Sequence, residues 1–140
     1  FYFIKMFQAC LDQKIDDVKR QIIAGWSPNL YNDTIFWERG WTPIRYAALA
    51  GSKLDKSDIH KYQMNMAKKI IGLLINAGAD INSQDACGTT TLMSVAQFDT
   101  RKELVLYLIS MGARLDIKDN YNRIAHDYAN TENMKNILKI

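Results

Sequence analysis

The chain has 140 residues, 48% hydrophobic and 24% charged, with a formal net charge of +3. That length suits one domain with apolar material enough for a core, which excludes a disordered or low-complexity chain. The slight positive balance excludes the dense basic stripe of a nucleic-acid binder, and no apolar run approaches the roughly 18 residues that span a bilayer.

Taken in chain order, the first apolar helical stretch leads through Val18 to Ile23 and stops at Ala24-Gly25. An aromatic-rich loop follows, and Thr42-Pro43-Ile44 opens a short helix that ends near Gly51. Ile59, Tyr62, Met66, Ile70 and Leu74 recur at steps of three and four, which predicts one helical face and a helix from about Asp58 to Asn76, capped by Ser57 or Asp58, with residues 52–56 as a loop. Ala77-Gly78 stops that helix, Asp85 to Gly88 turns, and Thr90-Thr91-Leu92 opens the next one. Leu104 to Ile109 runs into Met111-Gly112, and Ile124-Ala125-His126 repeats the opening phrase. Thr131-Glu132-Asn133 with Met134, Ile137 and Leu138 predicts a shortened closing helix.

Two phrases therefore recur in register. Gly78 to Thr90 and Gly112 to Ile124 are both 12 residues, and Thr90 to Ile124 is 34. The unit is about 33 residues: helix, helix, Gly turn, hairpin loop. Thr42-Pro43-Ile44 with Ala47-Ala48 and Gly51, Leu74-Ile75 with Ala77-Gly78-Ala79-Asp80-Ile81-Asn82, and Asp85 with Gly88 and Thr90 resemble the signature of the ankyrin repeat. The resemblance covers nearly the whole chain. It implies an all-α, ankyrin-repeat solenoid of about four stacked helix-turn-helix units with connecting hairpin loops, in a single domain over 1–140. The repeats fall at about 4–40, 41–87 with a helical insertion near 52–67, 88–121, and 122–140, the last truncated or capping. It further implies a Thr at each first-helix N-cap, and Gly25, Gly78 and Gly112 in the left-handed stop of each second helix.

The pattern breaks in three places. Gly25 to Thr42 is 17 residues against 12, so the first hairpin carries about five extra. Gly51 to Gly78 is 27 against 12, an insertion of about 15. The last repeat stops before its Gly turn, as a cap or an excerpt would. The opening Phe1-Tyr2-Phe3-Ile4 in place of Met likewise reads as a processed protein or a piece of a longer one. A soluble, cytoplasmic protein is the expectation, with a secreted or periplasmic location left open. The abundance of Ile, Asn and Lys hints at a microbial source.

Candidate binding residues follow from the loops. Tyr31, Phe36, Trp37 and Trp41 cluster in the lengthened hairpin, where they could anchor a partner or fold over to fill a small core of their own; Trp41 alone reads as scaffold. Asp85, Ala86, Asp119, Asn120 and Tyr121 lie on the later hairpins. The resemblance places Arg45, Tyr46, Leu49, Ser94, Gln97 and Phe98 on the concave helix face. The inserted helix with Ile59, Tyr62, Met64 and Met66 could bind, but packing of its apolar stripe against the neighbouring helix is the simpler reading.

Chemistry finds no foothold. His60 and His126 have no metal-ligand spacing to each other or to Cys10 and Cys87. His126 reads as a half-buried helix residue and both cysteines as buried or half-buried hydrophobes. Lys19-Arg20, Lys68-Lys69 and Arg101-Lys102 read as solvated faces. No nucleophile elbow, phosphate loop or metalloprotease helix occurs. The expectation is a non-catalytic, monomeric protein-interaction module without cofactor, metal, nucleic acid or membrane insertion. Its alternative is the targeting segment of a larger enzyme or secreted microbial effector.

Overall fold

A computed structural model describes residues 3–35, 38–50 and 57–140, with side chains for all of these except 3, 4 and 57–60. The chain divides into two compact units, Phe1–Asp80 and Ile81–Ile140. The described residues form seven α-helices and short 3-10 turns, with no strand among them.

The first unit holds α1 (Phe3–Leu11), α2 (Ile15–Ile23), α3 (Pro43–Leu49) and α4 (Ser57–Asn76). Helix α1 packs on α2 and α3, and α4 packs on α3 and α2. Met6, Cys10, Val18, Ile44, Met64 and Leu74 are among the side chains buried here. Ala47 and Ala48 are fully buried, and their small side chains let α3 sit close to its neighbours.

Helix α4 starts one residue before the predicted Asp58, so the insertion contributes helix to its N-terminal end. Its buried stripe, however, is Met64, Ala67, Ile70, Ile71 and Leu74, and Tyr62 is 63% exposed. From Leu74 back to Tyr62 the expected stripe runs in three steps of four, each overshooting a helical turn by about 40°, which carries Tyr62 roughly 120° off the core direction. The loop predicted at 52–56, and the side chains of Ser57, Asp58, Ile59 and His60, lie outside the described residues.

The second unit holds α5 (Thr91–Ala96), a 3-10 turn at Asp99–Arg101, α6 (Lys102–Ser110), a 3-10 helix at Ala125–Tyr128 and α7 (Glu132–Ile137). Leu92, Val95, Leu104, Leu108, Met134 and Leu138 are buried in it. Thr90 and Thr131 cap α5 and α7, their hydroxyls accepting from the amides of Met93 at 3.3 Å and Met134 at 3.2 Å. Thr42, expected to do the same for α3, makes no side-chain capping bond; Pro43 stands at the first helical position, where an N–H would have no helical partner.

Three helices end alike. Gly25, Gly78 and Gly112 take φ of 87°, 98° and 101°. At each, the glycine amide bonds back three residues and the next amide bonds back five, as in Ala79 N to the Leu74 carbonyl at 2.9 Å. This is a Schellman stop, and the left-handed φ it needs is the reason glycine recurs at the period of the repeat.

Candidate functional site

Each Gly stop launches a hairpin whose stem is set by one residue seven positions on: Asn32 after Gly25, Asp85 after Gly78, Asp119 after Gly112. The amides of Asn32, Asp85 and Asp119 donate to the carbonyls of Trp41, Thr89 and Arg123 at 2.8, 3.0 and 2.9 Å. Their carbonyls accept in return from Gly40, Gly88 and Asn122, each with positive φ. Their side-chain oxygens accept from amides inside the loop: Thr34 for Asn32, Cys87 and Thr89 for Asp85, Tyr121 and Arg123 for Asp119. Asx side chains do this because their short acceptor reaches the backbone two residues on. Asn32 and Gly40 are eight apart, Asp85 and Gly88 three. The first hairpin thus carries five extra residues over an unchanged stem, the number its spacing predicts.

A second pairing locks two of these stems. Tyr46 and Tyr128 occupy the same register position, four residues after Thr42 and Ile124. The Tyr46 hydroxyl accepts from Asn32 Nδ2 at 2.7 Å and donates to Glu38. The Tyr128 hydroxyl donates to Asp119 Oδ2 and accepts from Arg123 Nη2 at 2.9 Å. Burial pushes the Tyr46 hydroxyl pKa upward, and Glu38 adds to the rise. Burial also pushes the Asp119 carboxyl up, but Tyr128, Arg123 and the Tyr121 amide outweigh it and hold the group at about 2. The Arg123 guanidinium bonds Asp119 at 2.9 Å and lies over the Tyr128 and Tyr121 rings at 4.7 and 5.2 Å. The shared Tyr and Asx positions are a signal legible in the sequence.

Two further asparagines link one hairpin region to the next within each unit. Asn29 Nδ2 donates to the Gly78 carbonyl at 2.9 Å while its Oδ1 accepts from Asp80. Asn82 treats Gly112 and Arg114 identically, at 3.1 and 2.9 Å. Gly25+4 and Gly78+4 are these asparagines, so the last residue of the Gly-Ala-Asp-x-Asn phrase has a physical duty: it satisfies helix-end groups of the following repeat.

The sequence-predicted residues sort by exposure. Tyr31, Gln97, Phe98, Asn120 and Tyr121 are exposed, and Asp85 is half-buried. Asn120 is also structural, since its Nδ2 donates to the Ala86 carbonyl at 3.0 Å. Trp41 is half-buried beside Tyr46, ring centroids 5.5 Å apart, with the Arg45 guanidinium 5.5 Å from its ring. Arg45 and Tyr46 correct the sequence reading: they are 2% and 3% exposed and cannot form an accessible face. Tyr46 is drawn inward by Phe7, 4.8 Å away, and by the polar groups of the lengthened hairpin. Ser94 is buried too. Phe36 and Trp37 lie outside the described residues.

Two smaller expectations change. Cys87 is exposed, because it sits on the hairpin tip in the register of Tyr121, whereas Cys10 is buried and its thiol is pushed up to about 12. Arg101, read as part of a solvated basic pair, is 1% exposed at the end of its 3-10 turn, and burial lowers its pKa. His126 is half-buried, and the described residues contain no His, Cys, Asp and Glu grouping fit for a metal. None of the described helices is long and apolar enough to cross a membrane.

Helix pairs, left-handed Gly stops and Asx-stemmed hairpins repeating in this order define a helical repeat protein. Residues 39–86 match the family model of the ankyrin repeat, and the helical architecture is consistent with an ankyrin-repeat solenoid. No curated protein matches it. Ankyrin repeats are generally protein–protein interaction modules and are typically non-catalytic.

Proposed function

We propose that this chain is a non-catalytic module that binds a partner protein through its hairpins and the exposed ends of its first helices. The observation that carries the reading is the contrast between stem and tip. The stems are fixed by paired backbone bonds and by buried Asn32 and Asp119, while Tyr121 at a tip and Tyr31 at the foot of a stem are 75% and 59% exposed. An aromatic presented on a rigid base loses little conformational freedom when it binds, which favours affinity. Phe98, 41% exposed just after α5, and Gln97 beside it extend the surface in the second unit.

The test is affinity capture with the full chain as bait, compared with a Tyr31→Ala/Phe98→Ala/Tyr121→Ala variant of unchanged circular dichroism. The reading expects proteins that the native bait retains and the variant loses. Equal recovery by both baits refutes the assignment to these residues, and an empty capture from several extracts refutes the module itself.

A further inference from the structure

The lengthened first hairpin also shapes a cavity beside it. Residues 31–35 enclose a pocket of about 390 Å³ against α1 and α3, within the first unit. Its floor is the Phe7–Tyr46 ring pair, its rim Leu11, Tyr31 and Ile35, which are 40%, 59% and 41% exposed. The charged residues lining it are Asp33 and Glu38, both acidic, in a chain whose net charge is +3.

We propose that this pocket receives an apolar side chain from a partner protein segment that carries Lys or Arg beside that side chain. The proposal rests on the interaction-module reading and adds the chemistry of the partner. The volume lies within the range of sites that enclose small groups and accommodates a Leu, Ile or Phe side chain. Covering the exposed parts of Leu11, Tyr31 and Ile35 removes apolar surface from water, which supplies the attraction. The two carboxylates supply the selectivity. Glu38 is held in place through Oε2 by the Tyr46 hydroxyl and Asn32, so its charge is aimed before any partner arrives. Asp33 is exposed on the same loop. A cationic neighbour of the inserted side chain gains from both, whereas an acidic segment meets like charge. The stem bonds from Asn32 to Trp41 and from Gly40 to Asn32 keep this wall from collapsing into a simple turn.

The experiment selects binders for the full chain from a phage-displayed library of random peptides, then titrates the enriched synthetic peptides into the isotope-labelled chain by NMR. The proposal expects enriched sequences with Lys or Arg within two positions of Leu, Ile or Phe. It expects amide shifts at Leu11, Tyr31, Asp33 and Ile35. Asp33→Asn should weaken binding about two- to five-fold at low salt, the range of one exposed charge pair, and Asp33→Lys should favour acidic peptides instead. Leu11→Ser should weaken binding by roughly ten-fold through lost apolar contact. Both positions are at the surface, and thermal melts confirm that the variants fold. Enriched peptides without basic bias overturn the proposal. So do shifts confined to Phe98 and Tyr121, an outcome that leaves the interaction module standing. Failure to enrich any peptide overturns the pocket assignment, while the capture experiment decides the module separately.

Discussion

Replacing Asp119 by Ala tests the idea that an Asx residue holds each hairpin. The native carboxylate, whose side chain is 0% exposed, accepts from the amides of Tyr121 at 2.8 Å and Arg123 at 2.9 Å, from the Arg123 guanidinium and from the Tyr128 hydroxyl. Hydrogen bonds to a charged group contribute about 1.5–3 kcal/mol each, but they do not add. The Arg123 side chain is 49% exposed and recovers water when its partner is lost, so the ion pair itself counts for little. What remains are two loop amides and one hydroxyl deprived of their acceptor, for a loss of about 3 kcal/mol. At about 2–4 °C per kcal/mol for a chain near this size, the midpoint of thermal unfolding should fall by about 6–12 °C. Circular dichroism melts at neutral pH measure this, and hydrogen exchange at the Tyr121 and Arg123 amides should accelerate together.

The same carboxylate gives a pH signature. Its folded pKa of about 2 lies below the ordinary 3.8, so its contribution is complete above about pH 4 and fades as the pH falls toward 2. Asp119→Asn cannot titrate, so the stability gap between it and the native chain should shrink across that window. A change below 0.5 kcal/mol for Asp119→Ala, or a gap that ignores pH between 4 and 2, refutes the anchoring argument.

Further outcomes follow from other positions. Asn82→Ala removes the bonds to Gly112 and Arg114 and should cost about 1–2 kcal/mol in urea titration, whereas a neutral result would deny the link between successive repeats. At Gly78→Ala the new Cβ meets nothing within 4 Å, so only the strain of a φ of 98° opposes it, about 1–2 kcal/mol; a stabilised variant would refute the left-handed stop. A thiol reagent at pH 8 should modify one cysteine in the native chain, the exposed Cys87, and both after unfolding, because the thiolate is the reactive form and Cys10 is buried with its thiol held at about 12. Rapid native labelling of Cys10 would contradict its place in the core.

The parts of this structure that were legible in the sequence are those set by backbone conformation. Gly25, Gly78 and Gly112 had to mark helix stops because few other residues adopt their φ, and the spacing from Gly25 to Thr42 gave the length of the inserted loop. What stayed hidden depended on where a loop lands. Tyr46 carried the right residue type for a binding face, yet its burial follows from meeting Asn32 and Glu38 across the hairpin, contacts that no local spacing reports. The α4 stripe holds at Ile70 and Leu74 and departs from the core at Tyr62, because counting in fours drifts around a helix. The acidic pocket beside Phe7 escaped because it joins residues from α1, the hairpin and α3, far apart in the chain.

The stem that closes over three residues at Asp85 and over eight at Asn32 has a consequence for how such a molecule can change. Insertions at the tip leave the closing bonds untouched, so the cost of lengthening falls on loop entropy, which grows only slowly with length. New recognition sequences can therefore be spliced into these tips, by evolution or by hand, while the helices beneath keep their register.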